Sequence, residues 1–147
     1  MVKKIYLGAD HAGFRLKEEI KTFLAKKKIS FEDLGNYKLD KKDDYPIYAA
    51  RVAKKVAKEK SSGILICGSG QGVAIAANKM KGIRAVVAEN VRDAFLARRD
   101  DDANVLALQG RYIKRKKAEA IIKKFVETKF AQKERYKRRI KEIKRLE

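Results

Sequence analysis

The chain has 147 residues, 45% of them hydrophobic and 39% charged, with a formal net charge of +19. That length suits one domain with a single core, and that balance excludes a disordered chain. A single cysteine excludes an internal disulfide and fits a reducing compartment. No apolar run approaches the roughly 18 residues of a membrane-spanning helix. The first eleven residues are too weakly apolar for a signal peptide. The expectation is therefore one cytoplasmic domain covering residues 1–147.

About half of the charge lies in the last quarter, where 112–147 hold fifteen Lys or Arg against five Glu. So basic a balance favours anionic partners, among them nucleic acid, acidic membrane surfaces and phosphorylated metabolites. A solvated, lysine-rich surface is the simpler account of most of it.

Short β-rich runs alternate with helical patterns along the chain. Lys4–Gly8 reads as a strand, and Phe14–Lys27 as a helix with Phe14, Leu16, Ile20, Phe23 and Leu24 apolar. Ile29–Leu34 is a second strand, followed by a polar loop through Asp44. Pro46, the only proline, suits the first turn of a helix running to about Glu59. Gly63–Cys67 is the most apolar run and predicts a buried central strand. A helix over 72–80, a strand over 84–88 and a helix over 91–98 come next. A strand over 104–108 and a helix over 114–128 complete the alternation. This order predicts a three-layer α/β fold with a five-stranded parallel sheet flanked by helices. Ligands of such sheets bind outside the carboxyl ends of the strands. That rule selects Gly8–Gly13, the loop after Leu34, Gly68–Gly72 and the stretch from Glu89. The segment 132–147 predicts a basic helix with a sparse apolar stripe of Tyr136, Ile140, Ile143 and Leu146, suited to docking on another surface such as a second subunit.

The sharpest motif is Ile64-Leu-Ile-Cys-Gly-Ser-Gly-Gln-Gly72, a buried strand entering a glycine loop that opens a helix. Glycines admit close backbone approach, and helix N-terminal N–H groups favour negative charge. Cys67 at the mouth of this loop is a candidate base or nucleophile, or a structural thiol closing a core strand. The loop also resembles a dinucleotide fingerprint, with Glu89 as the distant acid. Against that, Val73 stands where the third Gly or Ala belongs, and the crossover follows the third strand instead of the first.

A second constellation, Gly8-Ala-Asp-His-Ala-Gly13, follows strand one. Asp10 there can bind sugar hydroxyls, and His11, the only histidine, can meet a phosphate or serve the packing. Arg111 follows strand five, while Arg135 and Arg139 are one helical turn apart and can grip one phosphate or face solvent.

Taken together, these residues resemble the type B ribose-5-phosphate isomerases and the related galactose-6-phosphate isomerases. The resemblance spans Gly8-Ala-Asp-His-Ala-Gly-Phe-Arg-Leu-Lys-Glu18, Asp44-Tyr-Pro-Ile-Tyr-Ala49, Gly63–Gly72 with Ile75-Ala-Ala-Asn-Lys79, Gly82-Ile-Arg-Ala-Val86 and Asn104-Val-Leu-Ala107. It implies a Rossmann-like sandwich, dimeric or tetrameric, with active sites shared between subunits and the C-terminal helix used in dimerisation. It implies aldose–ketose isomerisation of ribose 5-phosphate and ribulose 5-phosphate in the pentose phosphate pathway. Carried over, Cys67 resembles the base; Gly68, Ser69, Gly70, Gln71 and Gly72 resemble the anion hole, with Ser69 near the sugar oxygens; and Asp10 resembles the ligand of the sugar hydroxyls. His11, Arg111, Arg135 and Arg139 resemble a phosphate clamp, part of it from the partner subunit. Members that use a Glu base carry it where this chain has Val73, which makes this chain similar to the Cys type. No metal or organic cofactor is implied, and neither membrane nor nucleic acid is the expected partner.

The chain departs from the family at one point. The family reads His-Asn before its Asp-x-Asn-Val-Leu stretch, the His opening the sugar ring and the Asn binding substrate. Here Asp100 and Asp101 occupy those places. An Asp with an ordinary pKa near 4 is a poor acid at neutral pH unless burial raises it. The expected consequences are an Asp100 with a raised pKa, slow ring opening, a linear or six-carbon phosphosugar as substrate, or an impaired member that binds anionic partners.

Overall fold

The computed structural model describes residues 4–147. Its elements alternate as the apolar periodicity predicts: β1 (Ile5–Ala9), α1 (Phe14–Lys26), β2 (Phe31–Asp33), α2 (Tyr45–Glu59), β3 (Ser62–Cys67), α3 (Gln71–Asn78), β4 (Ala85–Val87), α4 (Val91–Asp101), β5 (Val105–Gln109), α5 (Arg115–Glu127) and α6 (Glu134–Lys144). Among the described residues, no helix is long and apolar enough to cross a membrane.

The five strands form one parallel sheet in the order β2-β1-β3-β5-β4. β3 is central, and all six of its residues are buried, because helices cover both faces. The edge strands β2 and β4 are three residues each, shorter than their apolar runs suggest. With a neighbour on one side only, the outer residues lack ladder partners.

Alternation along the strands divides the core in two. Leu7, Ile64, Ile66, Leu106 and Leu108 face α1, α4 and α5, around Ile20, Leu24, Ile121 and Phe125. Tyr6, Leu65, Cys67, Val105 and Ala107 face α2 and α3, around Val52, Val56, Val73 and Ala77. The helix after β1 thus lies on one face and the helix after β3 on the other. Their loops diverge at the carboxyl ends of β1 and β3, which opens the crevice where ligands of such sheets bind.

Two boundaries bear on function. α4 continues past Arg98 to Asp101 and stops at Asp102, which takes the left-handed conformation at φ 46°. Asp100 and Asp101 therefore sit in a helical last turn. α6 is shorter than the basic segment, with only Tyr136 and Ile140 buried, while Leu146 is 85% exposed.

Candidate active site at the carboxyl edge of the sheet

Three loops meet beyond the carboxyl ends of β1, β3 and β5, and their backbones stitch them together. Asp10 N–H donates to the Ile66 carbonyl at 3.3 Å. The Cys67 carbonyl accepts the Gly110 N–H at 2.8 Å, and the Gly68 carbonyl accepts the Arg111 N–H at 3.2 Å. Gly13 exists for this closeness, since a Cβ there would come 2.4 Å from the Ile66 carbonyl oxygen.

Cys67 ends β3 with its side chain on the α2/α3 face, 4% exposed and outside any disulfide. The chain then turns through Gly70, whose φ of +78° favours glycine, into α3. Among the described residues, no side chain other than Ser69 hydrogen-bonds to this helix start: Ser69 Oγ accepts the Gln71 N–H at 3.3 Å. The first N–H groups of any α-helix have no intrahelical partner, so this turn aims donors and positive potential at the edge where Cys67 lies. Gly72 is seated against the Tyr45 ring, which a Cβ would approach to 2.4 Å. Arg111 lies along Gly68, its Nη1 3.1 Å from the place of a Cβ there.

Across the crevice, Asp10 is 5% exposed, and its Oδ1 accepts the N–H groups of Ala12 at 3.0 Å and Gly13 at 3.2 Å. Burial pushes its carboxyl above the usual range, against those two N–H groups and the nearby His11. His11 Nδ1 is 2.7 Å from Asp43 Oδ1, which also accepts the His11 backbone N–H at 2.9 Å. Asp10, His11 and Asp43 place their donor atoms within 4.8 Å of one another, a grouping of metal-ligand types that the sequence did not reveal. Asp43 is 32 positions from His11, inside a loop of mixed charge with no signature of its own. Tyr45 was equally silent as a site residue, because only the packing of α2 on α3 brings its ring over the glycine loop.

The fold thus gathers Asp10, His11, Cys67, Gly68, Ser69, Gly70, Gln71, Gly72 and Arg111 at one edge. It does not gather the others there. α4 runs back across the sheet, so Asp100 and Asp101 lie at the amino edge, where Arg84, just before β4, donates to the Asp101 and Asp102 carbonyls. α6 is tied to the same edge: Ala131 N–H donates to the Arg99 carbonyl, and Glu147 accepts the Gly82 N–H at 2.7 Å. Arg135 stacks on Tyr136 there, 4.9 Å from the ring centre, and Arg139 follows one turn on. With about 3.3 Å per strand residue, the two edges are on the order of 16 Å apart.

At the amino edge Asp100 forms a two-pronged pair with Arg99, at 2.5 Å from Nε and 3.0 Å from Nη2. That guanidinium, aided by the Tyr136 hydroxyl and Arg135 against a small burial effect, holds the Asp100 carboxyl below its usual range. A raised pKa for Asp100, one of the expectations from sequence, is therefore corrected: Arg99 satisfies the ionised form, and burial is too slight to oppose it.

Comparison with known proteins agrees with this architecture. A family profile described as Ribose/Galactose Isomerase matches residues 5–143. The ribose-5-phosphate isomerase B of Escherichia coli K12 is 45% identical over 122 residues, covering 82% of this chain and 81% of that one. The crystal structure of the Thermotoga maritima ribose 5-phosphate isomerase superposes with a TM-score of 0.93 at 41% identity, over 97% of each chain. The Mycoplasma genitalium ribose-5-phosphate isomerase B, solved with bound ribulose-5-phosphate, gives 0.93 at 41%, over 97% of this chain and 95% of that one. With its sheet order, its glycine loop and these relatives in agreement, the chain belongs to the ribose/galactose isomerase family.

Proposed function

We propose that this enzyme interconverts ribose 5-phosphate and ribulose 5-phosphate, with Cys67 as the base. The observation that carries this reading is the convergence of Cys67, the unpaired donors opening α3, Asp10 and Arg111 on one crevice. Aldose–ketose isomerisation needs a base, a shielded pocket and donors fixed on a developing oxyanion. The Cys67 thiolate takes the proton from C2 of the open-chain aldose. The electron pair of that C–H bond forms C1=C2, and charge collects on O1. N–H groups of 68–72 hold that oxyanion; the O2 proton then passes to O1, the O2–H electron pair closes the C2 carbonyl, and the C1=C2 pair takes the proton back from the Cys67 thiol at C1. Asp10 binds sugar hydroxyls, while His11 and Arg111 meet the phosphate.

Arg135 and Arg139 complete the phosphate clamp only from a second copy, because in their own chain they lie at the opposite edge. The reading thus includes a homodimer, or a tetramer built of such dimers, working in the cytoplasm. Complementation tests it. Mixed after co-refolding, Cys67→Ala and Arg135→Ala should regain up to about a quarter of wild-type turnover, since half of the dimers pair the two variants and each such dimer rebuilds one intact site. No recovery from two folded, dimeric variants overturns the shared site.

The Arg99–Asp100 pair favours a second feature of this reading: the enzyme takes its aldose as the open chain. Ribulose 5-phosphate has O5 esterified and cannot close a five-membered ring, whereas ribose 5-phosphate does. At high enzyme concentration the aldose direction should level off at the rate of spontaneous ring opening. Asp100→His should lift that plateau, and a rate that stays proportional to enzyme at all concentrations contradicts the idea.

A further inference from the structure

Asp43, on the β1 side of the crevice, has no part in the proposed chemistry, yet its surroundings are the most fully specified of any polar group there. Its side chain is 7% exposed. Oδ1 accepts the His11 backbone N–H at 2.9 Å and lies 2.7 Å from His11 Nδ1; Oδ2 accepts Asn36 Nδ2 at 3.2 Å. Asn36 is itself 4% exposed and anchored, its N–H donating to the Ala9 carbonyl at 2.9 Å and its Nδ2 also to the Lys38 carbonyl at 3.1 Å. From α2, Tyr48 faces the same carboxylate; burial and then the Asp43 charge raise its hydroxyl above the usual range.

A carboxylate only accepts hydrogen bonds, so a ring nitrogen 2.7 Å away must carry the proton. That puts the imidazole proton on Nδ1 and leaves Nε2, which has no partner among the described residues, for a ligand. We propose that Asp43 is a positioning residue that fixes His11 with its Nδ1 proton on Asp43 and its Nε2 presented to a phosphate oxygen of the substrate. When the ring takes a second proton, Nε2–H donates to that oxygen, and the Asp43 charge balances the imidazolium. The acidic groups beside the ring are Asp10 from the β1 loop and Asp43 from the β2–α2 loop, whose donor atoms and the ring's lie within 4.8 Å of one another. The proposal rests on the phosphosugar reading for its ligand, though not for its tautomer.

His11 is the only histidine, so nitrogen NMR of histidine-labelled protein reads the ring without assignment. At a pH where the ring is neutral, the wild type should carry the proton on Nδ1, and Asp43→Ala should move it to Nε2. Without the Asp43 carboxylate to balance the imidazolium whose Nε2–H meets the phosphate, KM for ribose 5-phosphate should rise roughly 10-fold in that variant, the scale of a lost charge-assisted contact, with a smaller change in kcat. Asp43→Asn keeps an acceptor for Nδ1 and should retain the tautomer with a smaller rise in KM; it also serves should alanine prevent folding. A wild-type proton on Nε2, or an alanine variant with unchanged tautomer, overturns the proposal. A moved proton with unchanged KM overturns the link to the ligand. Absence of turnover in the wild type alongside the Nδ1 tautomer overturns the substrate reading and leaves the positioning intact.

Discussion

The two edges of the sheet are built by different means. At the carboxyl edge, backbone does most of the work: strands end in glycine turns, carbonyls lock neighbouring loops, and the start of α3 contributes donors that need no side chain. At the amino edge, long side chains dominate. Arg84 and Arg98 clasp Asp102 while Arg99 clasps Asp100. Backbone groups in packed turns are fixed before a ligand arrives, which suits oxyanion stabilisation. The Arg99–Asp100 pair, the more exposed of these, is of the weak and adjustable kind that suits a surface closing onto a second molecule. Under the proposed reading, in which a second copy completes the site, the two edges supply its rigid half and its adaptable half.

The largest expected effect breaks the rigid half. Cys67→Ala should lower turnover by roughly 10²–10⁴, the contribution of a positioned base, in an assay of ketose formation. Wild-type activity in that variant removes the assigned base.

Next in size is the support beneath that edge. Lys17 of α1 is fully buried, with Nζ 2.6 Å from Asp33 Oδ2, and Asp33 Oδ1 takes the Gly35 N–H at 2.9 Å. Burial alone would raise the Asp33 carboxyl, but Lys17, Lys21 and the Gly35 N–H outweigh it and hold it below the usual range. Asp33→Ala strands the buried ammonium beside half-exposed Glu18 and should cost about 3–5 kcal/mol in denaturant unfolding. The sign of the pH effect follows: a depressed carboxyl stabilises above its unfolded pKa near 4, and that stability is lost as pH falls through the lower folded value. Wild type should therefore lose stability in acid more steeply than Asp33→Ala does.

A methyl group at the seam of the loops comes third. Gly13→Ala drives Cβ into the Ile66 carbonyl and should cost about 1–3 kcal/mol, the range for overpacking, with the N–H bonds to Asp10 disturbed as well. An unchanged unfolding midpoint would mean that the seam gives way more easily than its contacts suggest.

The smallest effect belongs to the adaptable half. Asp100→Asn removes an ion pair whose Arg99 is 38% exposed and should change stability by at most about 1 kcal/mol. A loss several times larger would show that the amino edge is as rigid as its counterpart, and the contrast would fail.

Much of the carboxyl edge was legible without coordinates. The run Gly63–Cys67 is apolar throughout because both faces are covered, and the alternation of such runs with helical periods dictates a parallel sheet. A strand entering Gly68–Gly72 names its own binding edge, as does Asp10-His11 after β1. What stayed hidden was whatever depends on partners distant in sequence. Nothing in Lys38-Leu-Asp-Lys-Lys-Asp-Asp44 separates Asp43 from its neighbours; its meaning comes from the His11 ring that the parallel pairing of β1 and β2 places beside it.

Asp100 makes the same point from the other side. Sequence put an acid where the family has a histidine, and left the state of that acid open. Ionisation is a balance of burial against neighbouring charge, and only the last turn of α4 decided it, by setting Arg99 against Asp100 in the open. The sequence by itself determined the chemical inventory: the one thiol, the one imidazole and the glycine loop. The tertiary structure decided which of those groups meet and in what charge state, because contacts made across the sheet leave no local periodicity to read.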